Sequence, residues 1–416
     1  MRVVDSAAGA GGGGAGAGGG GAGGAAGAGG GGGGTPGAPD AGAACAAPPC
    51  ALIGATAVAA GPYHTCALLA GGRVACWGSN STGQLGDGSV HEQVNAVSVL
   101  DVSGATRIAT GGLSSGGGHT CAVLAGGALQ CWGANESGQL GIGRTIAMAP
   151  VAMPVPGVSD VVGVSAGVRH TCVVTGAGAV LCWGDNRFGQ LGDGTTTSSA
   201  TPKPVVGVTG AVAVAAGGYS AGTGAAHTCA IVANGNVRCW GDNGKGQLGN
   251  GSMTVSAMPV AVALGGKNAV AIAVGAEHTC AALDDGTVRC WGYGAYGALG
   301  NGSENDSGLP VLALGVLTAT TVVSGWNFNC APLASHELAC WGDDRFGQLG
   351  DGSTVQVSRP VTGTRLAGAT AVAAGYNHTC VVLAGGRVSC VGSNTFAQLG
   401  DGSHTDALAP VAVLGP

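Results

Sequence analysis

Charge is scarce in this chain. Asp, Glu, Lys and Arg make up 9% of its 416 residues, against about 25% in ordinary globular domains. Long surface helices need such residues on their wet face, so a helical bundle or coiled coil is excluded. Basic residues are fewest: 15 Lys and Arg against 21 Asp and Glu, with a formal net charge of −6. They are scattered, whereas a nucleic-acid-binding face needs clustered cations to neutralise phosphates. Aromatics are only 4%. No apolar run reaches the roughly 18 residues of a membrane-spanning helix. Met1–Asp5 is not followed by the apolar stretch of a signal peptide.

Glycine and cysteine stand in their place. Of 87 glycines, 21 fall in residues 1–44. They follow no strict Gly-X-Y period, so collagen is excluded. Residues 6–44 are almost pure Gly and Ala, ending in Thr35-Pro36-Gly37-Ala38-Pro39-Asp40. Such a segment cannot bury enough apolar area to offset its ordering entropy. Residues 1–44 are therefore expected to form a disordered tether, with one domain over 45–416.

Fourteen of the 16 cysteines fall into pairs ten residues apart. They are Cys66 with Cys76, Cys121 with Cys131, Cys172 with Cys182, Cys229 with Cys239, Cys280 with Cys290, Cys330 with Cys340, and Cys380 with Cys390. Cys45 and Cys50 are left over and could pair with each other. Trp-Gly follows each pair (Trp77, Trp132, Trp183, Trp240, Trp291, Trp341), except that Val391 stands in the seventh copy. Next come Gly-Gln-Leu-Gly or a near copy and usually Asp/Asn-Gly-Ser/Thr. The copies approximate to residues 51–104, 105–157, 158–208, 209–264, 265–315, 316–366 and 367–416. Copies 2 and 4 carry short insertions around Leu113–Gly117 and Gly218–Gly224; without these the period is 50–51.

Each copy reads as four short strands bounded by Gly, Asn, Asp and Pro. In the first they are Ala55–Ala60, Thr65–Leu69, Arg73–Trp77 and a fourth near Val97–Leu100. Later fourth strands are expected to follow a proline, as in Pro204-Val205-Val206 and Pro410-Val411-Ala412-Val413. Four strands repeated seven times predict an all-β chain: a seven-bladed β-propeller of four-stranded antiparallel blades. An open β-solenoid is the alternative, but its coils are much shorter.

A glycine ends the three-residue turn between the paired cysteines in six copies: Gly72, Gly127, Gly178, Gly235, Gly286 and Gly386. That position takes a left-handed conformation, which glycine adopts without steric cost. Copy 6 has Ala334-Ser335-His336, so its turn is in doubt. The register sets each pair of cysteines directly opposite, close enough for a cross-strand disulfide. Two buried thiols packing as small hydrophobes are the alternative. His64, Cys66 and Cys76 could share one sheet face, but zinc sites use much closer cysteine pairs, and no metal or cofactor is expected.

Gly-x-x-His-Thr-Cys-Ala-Leu-Leu, then Gly-Arg-Val-Ala-Cys-Trp-Gly, then Asn-x-x-Gly-Gln-Leu-Gly-Asp-Gly resembles the regulator-of-chromosome-condensation repeat. The resemblance covers roughly residues 51–416 and implies a seven-bladed propeller. Cysteine-paired versions are similar to those of secreted or surface bacterial proteins. The exchange-factor role of the family's namesake is not carried over, because no basic tail is present. Light sensing within the family uses tryptophans clustered after the glycine that precedes His-Thr, and only Gly325-Trp326 matches here.

The chain offers no recognisable catalytic motif: no Gly-x-Ser-x-Gly elbow, P-loop, His-Glu-x-x-His or calcium loop. His64, His119, His170, His227, His278 and His378 occupy one repeat position, filled by Phe328 in copy 6. An active site would break the repeat, so these histidines are assigned a packing role. The informative positions are those that vary. The two residues after the repeat's Gly include Tyr63, Arg169, Glu277, Trp326, Asn327, Tyr376 and Asn377, the candidate binding rim. Copies 6, 7 and 1 become neighbours if the ring closes, which groups Trp326, Tyr376 and Tyr63, and exposed Trp and Tyr are typical anchors. The expected function is non-enzymatic binding of a protein or surface glycan by a monomer outside the cell or on its surface. A missing signal peptide would then mean a truncated start or another export route. A propeller lyase or hydrolase with a loop-built site, and a purely structural surface module, are the alternatives.

Overall fold

The computed structural model of the protein describes residues 50–113, 117–218 and 225–416. The expected tether, Cys45 and the centres of both insertions, with Tyr219, lie outside the described residues.

Seven four-stranded antiparallel sheets follow one another along the chain, each in simple sequential order. In blade 1 the strands are Ala55–Ala60, His64–Leu69, Val74–Gly78 and Gln93–Ser98, from the axis outwards. The other blades span 105–154, 161–204, 211–261, 269–312, 323–361 and 369–412. Helix among the described residues is limited to one 3-10 turn, Ala295–Gly297. Inner strands such as Ala-Thr-Ala-Val-Ala-Ala, the same in blades 1 and 7, consist of small residues because seven strands converge on one axis.

The cysteine hairpin has the expected register. Leu69 N–H donates to the Arg73 carbonyl and Gly72 N–H to the Leu69 carbonyl. Cys66 lies opposite Cys76. The expected disulfides form in all seven blades, and the alternative of paired free thiols is set aside. Cys66 is bonded to Cys76, Cys121 to Cys131, Cys172 to Cys182 and Cys229 to Cys239. Cys280 is bonded to Cys290, Cys330 to Cys340 and Cys380 to Cys390. Their Cα atoms are 4.0–4.1 Å apart in every blade. Cys50 is disulfide-bonded as well. No described cysteine is free, so none remains as a thiolate for metal binding. The turn of copy 6 does not differ from the others. His336 takes φ 65°, close to the 73–80° of the six glycines, and its N–H bonds to the Leu333 carbonyl at 3.0 Å. The tertiary frame holds an ordinary side chain where glycine would sit without strain.

The fourth strands require a correction. In blade 1 the strand is Gln93–Ser98 rather than 97–100. In blade 3 it is Ser199–Pro204, and in blade 7 Ala407–Ala412. The prolines lie inside or at the end of these strands, not before them. An outer strand pairs on one side only, so a residue without an N–H is tolerated there and discourages edge-to-edge association.

Blades are locked by a repeated hydrogen-bond code. The carbonyl of Gln84, in the Gly-Gln-Leu-Gly loop of blade 1, accepts from Trp132 Nε1 and Thr120 Oγ1 of blade 2, both at 2.9 Å. The carbonyls of Gln139, Gln190 and Gln247 each accept the same two bonds from the next blade. Gln398 of blade 7 does so towards Trp77 and Thr65 of blade 1, closing the ring. Both chain ends join that seam: Leu52 N–H donates to the Val413 carbonyl at 2.7 Å, and Ala96 N–H to the Leu414 carbonyl at 3.0 Å. Six tryptophans are fully buried at these junctions, each packed near the preceding blade's disulfide, as Trp132 is with Cys66 and Cys76. Their indole N–H groups are satisfied, which allows such a residue to be buried.

The junction between blades 6 and 7 is the exception. Val391 replaces the tryptophan, and Phe328 replaces the histidine that would reach across. Of the code only Thr379 Oγ1 to the Gln348 carbonyl remains, at 2.7 Å. Blade 6 also has the shortest inner strand, Val323–Ser324.

Candidate functional site

The two ends of the propeller differ in chemistry. One end carries the turns between second and third strands. The other carries the loops from inner to second strands and the start of the long Gly-Gln-Leu-Gly excursions. Backbone bonds place the latter two side by side: Ser79 N–H to Tyr63 O, Tyr293 N–H to Glu277 O, and Asp343 N–H to Asn327 O. Six tryptophans and Phe328 are in the core. The eight other described aromatics are half-buried and all belong to these loops: Tyr63, Phe188, Tyr293, Tyr296, Trp326, Phe346, Tyr376 and Phe396.

Four of them make a continuous cluster over blades 6, 7 and 1. The Trp326 and Tyr376 rings stack with centroids 3.8 Å apart and planes 23° from parallel. Tyr63 lies tilted against Tyr376 at 5.6 Å and against Phe396 at 4.4 Å. The Trp326–Tyr376 stack spans the junction that lacks the tryptophan and histidine bonds. Two cation–ring contacts extend the aromatic face over blades 4 to 6: Lys245 Nζ 4.9 Å from the Tyr293 centroid, and Arg345 Cζ 4.7 Å from that of Tyr296. The charges here are largely matched. Arg345 pairs with buried Asp343 at 2.8 Å, Arg187 with Asp185 at 2.7 Å, and Lys245 with Asp306 at 3.5 Å. Burial raises the Glu277 carboxyl, opposed by nearby Lys245.

At the centre of this face the inner strands end in a funnel of ≈ 100 Å3 that is open to solvent. Trp326 and Tyr376 form part of its wall, with Thr110, Ser165 and Ser324 among the other lining residues. Thr110 is 6% exposed, and its Oγ1 has no hydrogen-bond partner.

Beneath the rim the six histidines form a belt, and their role is structural as expected. His64 bonds Thr120, His119 Thr171, His170 Thr228, His227 Thr279 and His378 Thr65, at 2.8–3.0 Å through Nε2. His278 reaches Asn329 Oδ1 at 2.9 Å. Each threonine's single proton goes to a glutamine carbonyl, so its oxygen accepts and the histidine Nε2–H must donate. The imidazoles are therefore neutral Nε2–H tautomers. Nδ1 of His119, His170, His227, His278 and His378 has no partner, so a second proton would be buried without an acceptor. Burial depresses all six, to about 3 or about 4. The preceding glycine is required by the ring: a Cβ on Gly61 would lie 2.6 Å from His64 Cε1.

Of the expected rim, Tyr63, Trp326 and Tyr376 come together as one cluster. Arg169, Glu277 and Asn377 are half-buried on the same end. Asn327 is 5% exposed and is not part of the accessible surface. Phe396, Tyr293, Tyr296, Phe346, Phe188 and Lys245 were not anticipated. Their signal was available: they vary among copies within the excursion, as the rim residues vary within their own loop. Among the described residues, no group of three or more His, Cys, Asp or Glu could hold a metal ion, and no helix is long and apolar enough to cross a membrane.

Comparison with known proteins agrees with the fold. Human WBSCR16 superposes with a TM-score of 0.66 at 21% identity, over 82% of this chain and 93% of that one. Yeast RCC1 (Prp20), in its complex with Kap60, superposes at 0.67 and 20% identity, over 82% and 83%. In sequence the chain is 32% identical over 258 residues to the ultraviolet-B receptor UVR8 of Arabidopsis thaliana, covering 61% of this chain and 57% of the receptor. It is 32% identical over 241 residues to the E3 ubiquitin-protein ligase HERC2 of Homo sapiens, covering 58% of this chain and 5% of the ligase. The chain thus spans little more than half of the first of these relatives and a small part of the second. Regulator of chromosome condensation (RCC1) repeat models match residues 127–174, 177–231, 234–282, 285–331 and 337–382, and a second form of the repeat matches five segments, from 55–84 to 369–398. The chain belongs to the regulator of chromosome condensation repeat family.

Proposed function

We propose that the protein is a non-enzymatic binding module that holds a protein or surface-glycan partner on its aromatic face, outside the cell or on its surface. The distribution of aromatics carries this reading: all eight described non-core aromatics are on one end of the ring, and none is on the other. Large, rigid side chains lose little entropy on binding and dominate interface energies. Seven disulfides fit an oxidising compartment. A net charge of −6 with no clustered basic surface argues against a nucleic-acid partner. The ultraviolet sensing of the plant relative is not carried over, because Trp326 is the one tryptophan outside the buried core.

The test is affinity capture with the full chain from its native surroundings, comparing wild type with Trp326→Ala and Tyr376→Ala. Both variants keep melting temperatures within about 5 °C of wild type, as changes to half-buried surface residues do. Both lose the captured partner. Retention by both would show that this face is not the binding face.

A further inference from the structure

We propose that the Gly-Gln-Leu-Gly excursion of blade 6 is closed by a proton-operated latch: Asp344 holds it as a neutral carboxylic acid, and loss of that proton loosens the excursion and the junction to blade 7. The latch does not depend on what the aromatic face binds.

The other blades show what this position does. Five of them have asparagine there: Asn80, Asn135, Asn186, Asn243 and Asn394. In each, Oδ1 accepts the N–H of the leucine five residues on, at 2.9–3.0 Å. That fixes Nδ2, which donates to the carbonyl nine residues on, at 2.9–3.2 Å. In blades 1, 3 and 7 it also donates to the aspartate seven residues on, at 3.0–3.2 Å. Asp344 takes the same pose, its Oδ1 accepting from Leu349 N–H at 2.9 Å. Its Oδ2 therefore stands where the amide nitrogen stands elsewhere, and the residues in the acceptor places are Ser353 and Asp351. Ser353 Oγ donates to Oδ2 at 3.1 Å, while Ser353 N–H is held by Asp351. Asp344 has no exposed surface. A buried carboxylate set among acceptors lacks the donor that asparagine supplies, and a carboxylic acid regains it with one O–H. The ionisable groups around the excursion are Asp343, Arg345, Asp351, Arg359 and Arg365 on the blade-6 side and Tyr296 and Glu304 of blade 5. Arg345 is taken by Asp343 and lies over Tyr296. Arg359 and Arg365 lie over Gly302 and Gly352, and Glu304 accepts from Gln356. Burial, then Asp351 and Asp343, push the Asp344 carboxyl up to about 7, against the bonds from Leu349 and Ser353. The same excursion carries Phe346 of the aromatic face and the Gln348 carbonyl, which accepts from Thr379 across the junction that lacks the tryptophan and histidine bonds.

The closed latch keeps its proton up to about pH 7, whereas in the opened loop the carboxyl ionises near its ordinary value of about 4. Opening therefore becomes easier as pH rises through that window and levels off above it. Buried histidines act in the reverse sense, so the sign separates the two. The test is amide exchange of the full chain at pH 6 and 8.5, corrected for the intrinsic rate. Protection of Leu349 is expected to fall about tenfold. Leu85, Leu191 and Leu248, bonded to asparagines, should show no fall. Carbon NMR of the aspartate carboxyls should show one group titrating with a midpoint near 7 that is missing from Asp344→Asn. That variant restores the residue of five blades, folds, and abolishes the fall at Leu349. Asp351→Asn removes the facing carboxylate and lowers the midpoint by about one unit, while His336→Ala on the opposite end leaves it unchanged. A carboxyl titrating near its ordinary value of about 4, flat protection at Leu349, or a fall that persists in Asp344→Asn overturns the proposal. Calcium that restores Leu349 protection at pH 8.5 in wild type but not in Asp344→Asn also overturns it, because the acceptors would then hold a cation in place of the proton.

Discussion

The histidine belt makes the stability of this propeller steeply dependent on pH. Six imidazoles are buried neutral, donate from Nε2, and have folded-state values depressed to about 3 or about 4 by burial. In the unfolded chain each titrates near its ordinary value of about 6.5. Between these limits the unfolded state binds more protons than the folded one, so stability falls as pH falls. One such histidine forfeits about 2 kcal/mol at pH 5 relative to high pH. Six acting together lose about 4 kcal/mol between pH 7 and 6, and about 11 between pH 7 and 5. Asp344 works in the opposite sense. Burial holds its carboxyl up to about 7, so acidification to pH 5 relieves a penalty there and offsets part of the loss. The remaining loss is comparable with the whole stability of an ordinary domain, about 5–15 kcal/mol. Urea titrations at pH 7.5, 6.5, 6.0 and 5.5, with disulfides intact, are expected to show midpoints falling steeply. Unfolding at pH 5.5 should take up about four or more protons. A midpoint flat from pH 7.5 to 5.5, or an uptake below about two protons, would refute the neutral-belt assignment. Nitrogen NMR of the imidazoles gives a second check, since all six should be Nε2–H tautomers at pH 7.

Four further outcomes follow from the same geometry. His336→Gly relieves a left-handed backbone at an exposed turn and should stabilise by about 1 kcal/mol, read as a higher melting temperature. Titration of thiols in the denatured, non-reduced chain should find essentially none. Replacing Cys66 and Cys76 by serine should cost up to about 3 kcal/mol, less if the local hairpin persists in the unfolded state. Native-state amide exchange should be fastest, among the blade junctions, between blades 6 and 7. There Phe328 and Val391 remove two of the inter-blade hydrogen bonds, and equal protection at all seven junctions would contradict the bond code.

Much of this architecture was legible because the sequence writes one unit seven times. Cys66, Gly72, Cys76 and Trp77 recur at fixed intervals, and a position needed in every blade announces itself by repetition. The fourth strand was misplaced because proline was read as a boundary, whereas an edge strand accepts it at Pro204 and Pro410. Rim residues were legible for the complementary reason: Trp326 and Tyr376 break the repeat. What sequence could not show was that a second variable position, in the excursion, returns to the same end of the blade. Phe396 is more than 300 residues from Tyr63, and only ring closure brings their rings to 4.4 Å. Nor could it separate Trp326 from its neighbour Asn327, whose side chain turns inward.

The place where the chain enters the ring has a consequence for orientation. Gly54 bonds through its carbonyl to Ala70 of the adjacent turn, so residues 50–54 arrive on the end that carries the hairpin turns. The entering segment Cys50–Gly54 therefore lies behind the propeller and leaves the aromatic face and its funnel uncovered.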